Sequence, residues 1–416
     1  MKTQTLLRCA LLGSAFAFTA LSPALAGHSQ AEKRALAIHG KHALAQRAKG
    51  DEVSRASARD VFYEVVHDFT GASGAGSGAR VTVMKNGDMY GTTDFGGAHG
   101  DGVVYKVASD GTESVLYSFT GGTDGSEPDG GVIVKNNGAI FGTAGSGGSG
   151  GNGVLFKIKP DGSYHVLHDF SSTDGSFLRG NLVEDSDGSL IGTALFGGIN
   201  GDGTVFKYAK DGTFTVLHAF NNNDGEFPEH GVAMDKSGNL YGVTAFGGTS
   251  GEGTVYKITP DGTFSTVYNF TGGADGGFLY GTVDVDRDGN IYGSTGDGGA
   301  NGHGTVFKLT PGGTLTTLYN FTGGTDGGDP EGDMLVSGNK LYSTASEGGD
   351  PSCQCGGVYS VSMSGHEKML HAFVGTDGSG YSAGVTARKG LLYGTTASGG
   401  AHGDGVVFRM AKKNQN

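Results

Sequence analysis

Tryptophan is absent from this 416-residue chain, cysteine occurs three times, and basic residues are scarce where they would matter most. The missing tryptophan counts against a strong lectin. Residues 1–60 carry nine Lys/Arg against four Asp/Glu, so the remaining body carries 20 against 38, a net of −18. A nucleic-acid partner needs a basic footprint, and that body has none. Past the first 26 residues no apolar run approaches the roughly 20 residues of a membrane helix, so no membrane span is expected. The 82 glycines follow no Gly-X-Y period, which excludes collagen, and their regular placement argues against low-complexity disorder.

What is present begins with an export signal over residues 1–26. Lys2 and Arg8 form its basic end, an apolar core follows, and Ala24-Leu25-Ala26 is an A-x-A cleavage site. Cys9 falls within the discarded piece. A secreted or periplasmic location follows. Residues 27–60 are polar and Ala-rich with no sustained apolar stripe, and are expected to be a flexible linker.

From residue 61 one phrase recurs seven times. Tyr90-Gly91-Thr92-Thr93 returns with starts at 141, 191, 241, 292, 342 and 393, spacings of 50 or 51 residues. Each unit holds four short β-prone runs. In the unit around 231–270 they are "GVAMD", "LYGVTA", "TVYKIT" and "TFSTVYNF", separated by a Ser-Gly-Asn turn, a glycine-rich loop and Pro260-Asp261-Gly262. Asp-Gly between such runs is a hairpin signal, because both turn residues take positive φ. Four antiparallel strands per ~50-residue unit describe a propeller blade. The expectation is an all-β, seven-bladed β-propeller over 61–410, with a short tail over 411–416. "VFYEVVHDF" (61–69) is an outer strand lacking its blade, and "GVVFRM" (405–410) ends a blade lacking its outer strand. Their pairing closes the ring and hides its edges, and a closed ring calls for a monomer.

The segments "SGNLYGVTAFGGTSGEGTVYKITPDGTFSTVYNF" (237–270) and "DGNIYGSTGDGGANGHGTVFKLTPGGTLTTLYNF" (288–321) resemble the GloVer tandem-repeat family. The resemblance covers 61–410 and implies a secreted or surface-exposed propeller without an established activity. Kelch units are similar in length, but the lack of tryptophan ranks them below.

Several local motifs dissolve on inspection. "DVDRDGN" (284–290) imitates a calcium loop, yet its twelfth position is Thr295 and its flanks are strands. No cofactor and no metal site are therefore expected, with calcium at this turn the residual alternative. The "GGxxGxG" loops precede strands rather than helices, which excludes a phosphate cradle; His99, His303 and His402 in them belong to separate blades. Gly147-Gly148-Ser149-Gly150-Gly151 lacks the strand-to-helix turn of a nucleophile elbow. His67, His168, His218 and His371 share one repeat position with Tyr117, Tyr268 and Tyr319, which points to packing. Cys353 and Cys355 are too few for zinc and are expected to form a C-x-C disulfide.

Function must show where units differ. In the loop entering each innermost strand, one column reads Gly78, Asp129, Arg179, Glu229, Tyr280, Glu331 and Ser382. Two residues on, Arg80, Asn181, Thr282 and Asp333 stand among glycines, and His230 lies between the columns. In a closed ring, Arg80, Asp129, Arg179, Glu229, His230, Tyr280, Glu331 and Asp333 converge on the channel mouth as a candidate ligand site. Arginine suits a carboxylate, and carboxylates accept hydroxyl hydrogen bonds. The reading is a non-enzymatic propeller binding a glycan or a protein, with Phe95, Phe196 and Phe246 as exposed contacts. The alternative is an extracellular polysaccharide lyase, hydrolase or lactonase at that mouth, with Glu229 or His230 as base, Tyr280 or Glu331 as acid and Arg179 as clamp.

Overall fold

The computed structural model describes residues 62–411. The signal peptide and linker expected over 1–60, Val61, and the tail from 412 lie outside the described residues. The described strands form seven four-stranded antiparallel sheets, and six of these run in simple sequence order. No helix among the described residues is long and apolar enough to cross a membrane.

The fourth blade is typical. Its strands are Ala233–Met234, Leu240–Thr244, Thr254–Ile258 and Phe264–Asn269. The third and fourth join at Asp261-Gly262, where Gly262 has φ 85° but Asp261 does not take positive φ, so the turn is not of the kind expected with both residues there; Thr263 N donates to Asp261 Oδ1 at 3.2 Å. The innermost strand is shorter than its sequence run, because Gly231 is diverted into a bridge with Asn181 of the preceding blade. The seventh blade takes Val385–Arg388, Leu391–Thr396 and Val406–Ala411 from one end of the chain and Tyr63–Asp68 from the other. Tyr63 stands opposite Met410 and Asp68 opposite Val406. Glu64 fixes that register by accepting two hydrogen bonds from the Arg409 guanidinium, at 2.8 and 3.0 Å.

Each outer strand carries a bulge at the same place. Register slips past Val66, Leu116, Leu167, Leu217, Val267, Leu318 and Leu370. An unpaired extra residue re-aims its side chain. Here all seven are aliphatic and pack onto the next blade, as Leu217 does on the cluster of Val232, Leu240 and Ile258.

The phenylalanine ending each outer strand goes deeper. Phe69, Phe119, Phe170, Phe220, Phe270, Phe321 and Phe373 are all buried. Each meets the third-strand aromatic of the following blade across a steep ring angle, with centroids 5.0 to 5.6 Å apart. Phe220 thus meets Tyr256 at 5.0 Å, and Phe69 meets Tyr105 at 5.0 Å. In six blades the receiving ring packs against a second-strand glycine of its own blade, and in the sixth Ser343 stands opposite Tyr359. A Cβ on Gly242 would run into the Tyr256 ring, so this close approach needs glycine.

The His/Tyr column also resolves structurally. Tyr117, Tyr268 and Tyr319 donate to Asp124, Asp275 and Asp326 at 2.9 to 3.2 Å. His168, His218 and His371 place Nε2 2.9 to 3.2 Å from Asp174, Asp224 and Asp377. Either ring puts a donor on the aspartate that caps the next turn, hence their exchange. His67 sits 3.3 Å from Glu113 instead, because Ser73 fills the capping role in its unit.

If the terminal strand locks the ring as the internal strands do, Phe69→Ala and Phe220→Ala should cost similar stability, about 3–5 kcal/mol each. Denaturant unfolding of both variants checks this; a much smaller loss for Phe69→Ala would mean that the seventh junction bears less load.

Candidate functional site

The mouth is built from seven loops that share one backbone device. A residue in each adopts the left-handed conformation: Gly76, Glu127 (φ 53°), Phe177 (62°), Phe227 (62°), Phe278 (53°), Asp329 (48°) and Gly380. Non-glycine residues pay about 1–3 kcal/mol for this, so the surroundings must impose it. They do so with two hydrogen bonds. Phe227 N donates to Asp202 O of the preceding blade at 3.0 Å, and its own carbonyl accepts Ala245 N at 3.0 Å. The residue two positions further on is then carried to the mouth, which is how Arg179, Glu229, Tyr280 and Glu331 arrive there.

These side chains gather in three neighbouring groups. In the first, Arg179 Nε lies 3.1 Å from Asp129 Oδ2, and its guanidinium sits 5.0 Å over the Phe177 ring. Burial works against the Arg179 charge, but Asp129, Glu229 and Asp94 more than offset it and hold its pKa above the ordinary value. Asp94 is pushed well up, by burial first, then by the charge of Asp129; Arg179 opposes, while Glu127 and a hydrogen bond with Asp129 add to the rise. Burial likewise raises Glu127. Asp94, Glu127, Asp129, Arg179 and the rings of Phe95 and Phe177 line a cavity of about 20 Å³.

The central group spans the ring. Tyr381 Oη lies 2.8 Å from His230 Nε2, and His230 Nδ1 lies 3.6 Å from Asp333 Oδ1. Asp333 is buried and accepts from Thr282 N and Asn181 Nδ2, both at 2.8 Å. Asn181 in turn accepts Gly131 N at 2.9 Å. Burial pulls the His230 pKa down, but hydrogen bonding and charge from Asp333 leave it raised overall. Burial and four surrounding carboxylates push Tyr381 well up.

The third group is acidic. Glu331 is buried and raised well above the carboxylate range, by burial and then by Asp329 and Glu229. Asp329 is pushed up to about 7, by burial and then by Glu347 and Asp297. Tyr280 packs beside them and is raised by burial and by Glu229 and Glu331. Arg80 Nε donates to Thr386 in the seventh innermost strand at 3.2 Å, and its charge acts on Asp284 of the fifth innermost strand, as that of Asp333 does.

Sequence reasoning missed Tyr381 and Asp94. Both carried a signal: Tyr381 is the aromatic in a column otherwise reading Ser77, Pro128, Leu178, Pro228, Leu279 and Pro330. Asp94 is the acid in one reading Gly145, Leu195, Ala245, Gly296, Ser346 and Ala397. The expectation of three exposed phenylalanines needs correction. Phe95 is 52% exposed but Phe196 is 0% exposed, because it packs edge-on to Phe227 at 5.1 Å. Cys353 and Cys355 are bonded, with sulfurs 2.19 Å apart. The turn that imitates a calcium loop is a hairpin cap, with Asp286 accepting Asn290 Nδ2 at 2.9 Å and Tyr292 Oη at 3.0 Å. Among the described residues, no group of three or more His, Cys, Asp or Glu is arranged to hold a metal ion.

Two histidines should titrate in opposite senses. His230 is raised, so its stabilisation is full below the unfolded value of about 6.5 and is lost as pH rises through the folded value. His218 is lowered, by burial against the pull of Asp224, so its contribution is present above about 6.5 and lost as pH falls. Histidine titration by NMR should place His230 above and His218 below 6.5, and Asp333→Asn should bring His230 down. An unmoved His230 in that variant would contradict the assignment.

No curated protein matches the chain in sequence. The extracellular domain of a hybrid two-component system from B. thetaiotaomicron is similar in structure, with TM-score 0.54 and 11% identity, over 85% of this chain and 40% of that one. A puromycin hydrolase variant gives TM-score 0.50 and 12% identity over 78% of this chain and 50% of that one. A gluconolactonase from Xanthomonas campestris gives 0.41 and 13% over 66% and 82%. The chain thus spans well under two thirds of the first of these structures, and at such identities the likeness establishes the fold alone. The sequence itself is more specific. The Gloeobacter/Verrucomicrobia repeat matches residues 52–237 and again 229–416, and with all seven blades inside those matches the chain belongs to the Gloeobacter/Verrucomicrobia repeat family.

Proposed function

We propose that this protein is a secreted, non-enzymatic propeller that binds a glycan at its channel mouth. The observation that carries this reading is the convergence there of polar residues that each occur in one blade: Asp129, Arg179, Glu229, His230, Tyr280, Glu331, Asp333 and Tyr381. The pairs Arg179–Asp129, Tyr381–His230 and His230–Asp333 hold five of them in place before any ligand arrives, which lowers the cost of binding. A hydroxylated ligand suits such a lining. A protein partner fits it less well, because docking surfaces centre on clustered aromatic anchors, whereas the exposed large apolar residues here, such as Phe95, Val166 and Ile199, are in separate blades. Secretion is supported by the N-terminal export pattern and by the Cys353–Cys355 bond, which suits an oxidising compartment.

Catalysis is the weaker reading because the candidate base His230 is already engaged on both ring nitrogens, with Nε2 2.8 Å from Tyr381 Oη and Nδ1 3.6 Å from Asp333 Oδ1, whereas a general base must reach the proton it abstracts.

The test is incubation of the protein with immobilised neutral and acidic polysaccharides, reading retention alongside new reducing ends and unsaturated-product absorbance. Retention without product is expected, falling about tenfold or more in Arg179→Ala, which leaves a buried carboxylate unpaired. Product formed by the native protein and lost in that variant would replace this reading with an enzymatic one.

A further inference from the structure

The cavity lined by the first, second and third blades has a more particular chemistry than the rest of the mouth. Its volume of about 20 Å³ holds one group the size of a water molecule, so a ligand can insert an end but not a ring. Three carboxyl groups and one guanidinium line it. Arg179 is committed to Asp129 and to the face of Phe177. That leaves Asp94 and Glu127. Glu127 receives the Ser146 hydroxyl on one oxygen at 3.3 Å. Asp94 Oδ1 is buried and meets no N–H or O–H donor, its carboxyl facing only the like group of Asp129. At the rim stands Phe95, half-exposed, with one ring face free to take an apolar surface or a cation.

We infer that this cleft takes the protonated primary amine of an amino sugar, with the sugar ring resting on Phe95, so that the glycan bound at the mouth is one with free amino groups. The inference rests on the glycan reading above and narrows it. An ammonium group brings three donors and one positive charge. The donors reach an oxygen that lacks one, and the charge compensates a desolvated carboxyl pair that Arg179 alone does not neutralise. The raised Asp94 and Glu127 point the same way, since burial and neighbouring carboxylates work against their charge and a second cation would oppose both. An anionic sugar meets repulsion here, and a neutral hydroxyl supplies the hydrogen bond without the charge. The site occurs once in the ring, because no other unit places an acid at the Asp94 position.

Calorimetric titration of the protein with a glucosamine hexamer, the N-acetylglucosamine hexamer and a lysine tetramer tests this. The glucosamine hexamer should bind about tenfold or more tightly than the acetylated one, a preference that Asp94→Asn with Glu127→Gln should abolish. Phe95→Ala, on an exposed side chain, should weaken the amino hexamer several-fold without altering the melting temperature. The carboxyl variants should melt at the native temperature or above it, since they remove desolvated acids. Equal affinity for the two hexamers would overturn the ammonium assignment yet leave glycan binding standing. Full preference retained in the double variant would place the amine elsewhere, and equal binding of the lysine tetramer would remove the sugar from the argument. No binding of either hexamer overturns the inference outright, and the polysaccharide panel above then judges the broader reading on its own.

Discussion

The architecture hangs on one contact made seven times: the phenylalanine that ends an outer strand, set edge-on to the third-strand aromatic of the next blade. A sheet of four strands cannot bury both its faces alone. Stacking blades around an axis buries them, and an edge-to-face aromatic pair adds about 0.5–1.5 kcal/mol beyond the area covered. The accompanying features serve that contact. A small second-strand residue, glycine in six blades and Ser343 in the sixth, gives the receiving ring room. The bulge turns an aliphatic side chain onto the same neighbour. The His/Tyr–Asp hydrogen bond holds the segment just after the phenylalanine.

Because the lock repeats, it leaves little freedom at the positions that make it, and individuality is confined to the mouth loops. There the left-handed residue sets the backbone path in every unit, while the side chain two positions on is free to vary. Seven variable positions brought to one axis produce a dense polar cluster without any local motif. Its charge is unbalanced. Arg179 is surrounded by Asp94, Asp129 and Glu229, and the opposite side holds Asp329, Glu331 and Glu347. Burial and mutual repulsion raise Asp94, Glu127, Asp329 and Glu331 above the ordinary carboxylate values, an imbalance that a cationic guest would relieve.

The seventh blade shows how termini are used. Its outer strand arrives from the far end of the chain and is laddered antiparallel to Val406–Ala411, with the Glu64–Arg409 pair added where internal blades have a hairpin. The stacking of Tyr63 on His371 at 3.7 Å repeats the contact that Phe214 makes on His168 and Phe264 on His218, so this strand meets the preceding blade as the internal ones do.

The sequence by itself determined the repeat, the strand count per blade, the turns and the placement of residues 63–68 beside the last blade. These follow from local propensity and a fixed period, and both are one-dimensional properties. It also marked the columns where Arg179, Glu229, Glu331 and Asp333 stand. Only the tertiary structure decided which of them meet. Tyr381 reaches His230 from 151 residues away, and Asp333 accepts Asn181 across 152 residues, contacts with no trace in any local pattern. The burial of Phe196 was likewise beyond it, since it depends on how neighbouring blades pack against each other, and that geometry exists only once the ring has formed.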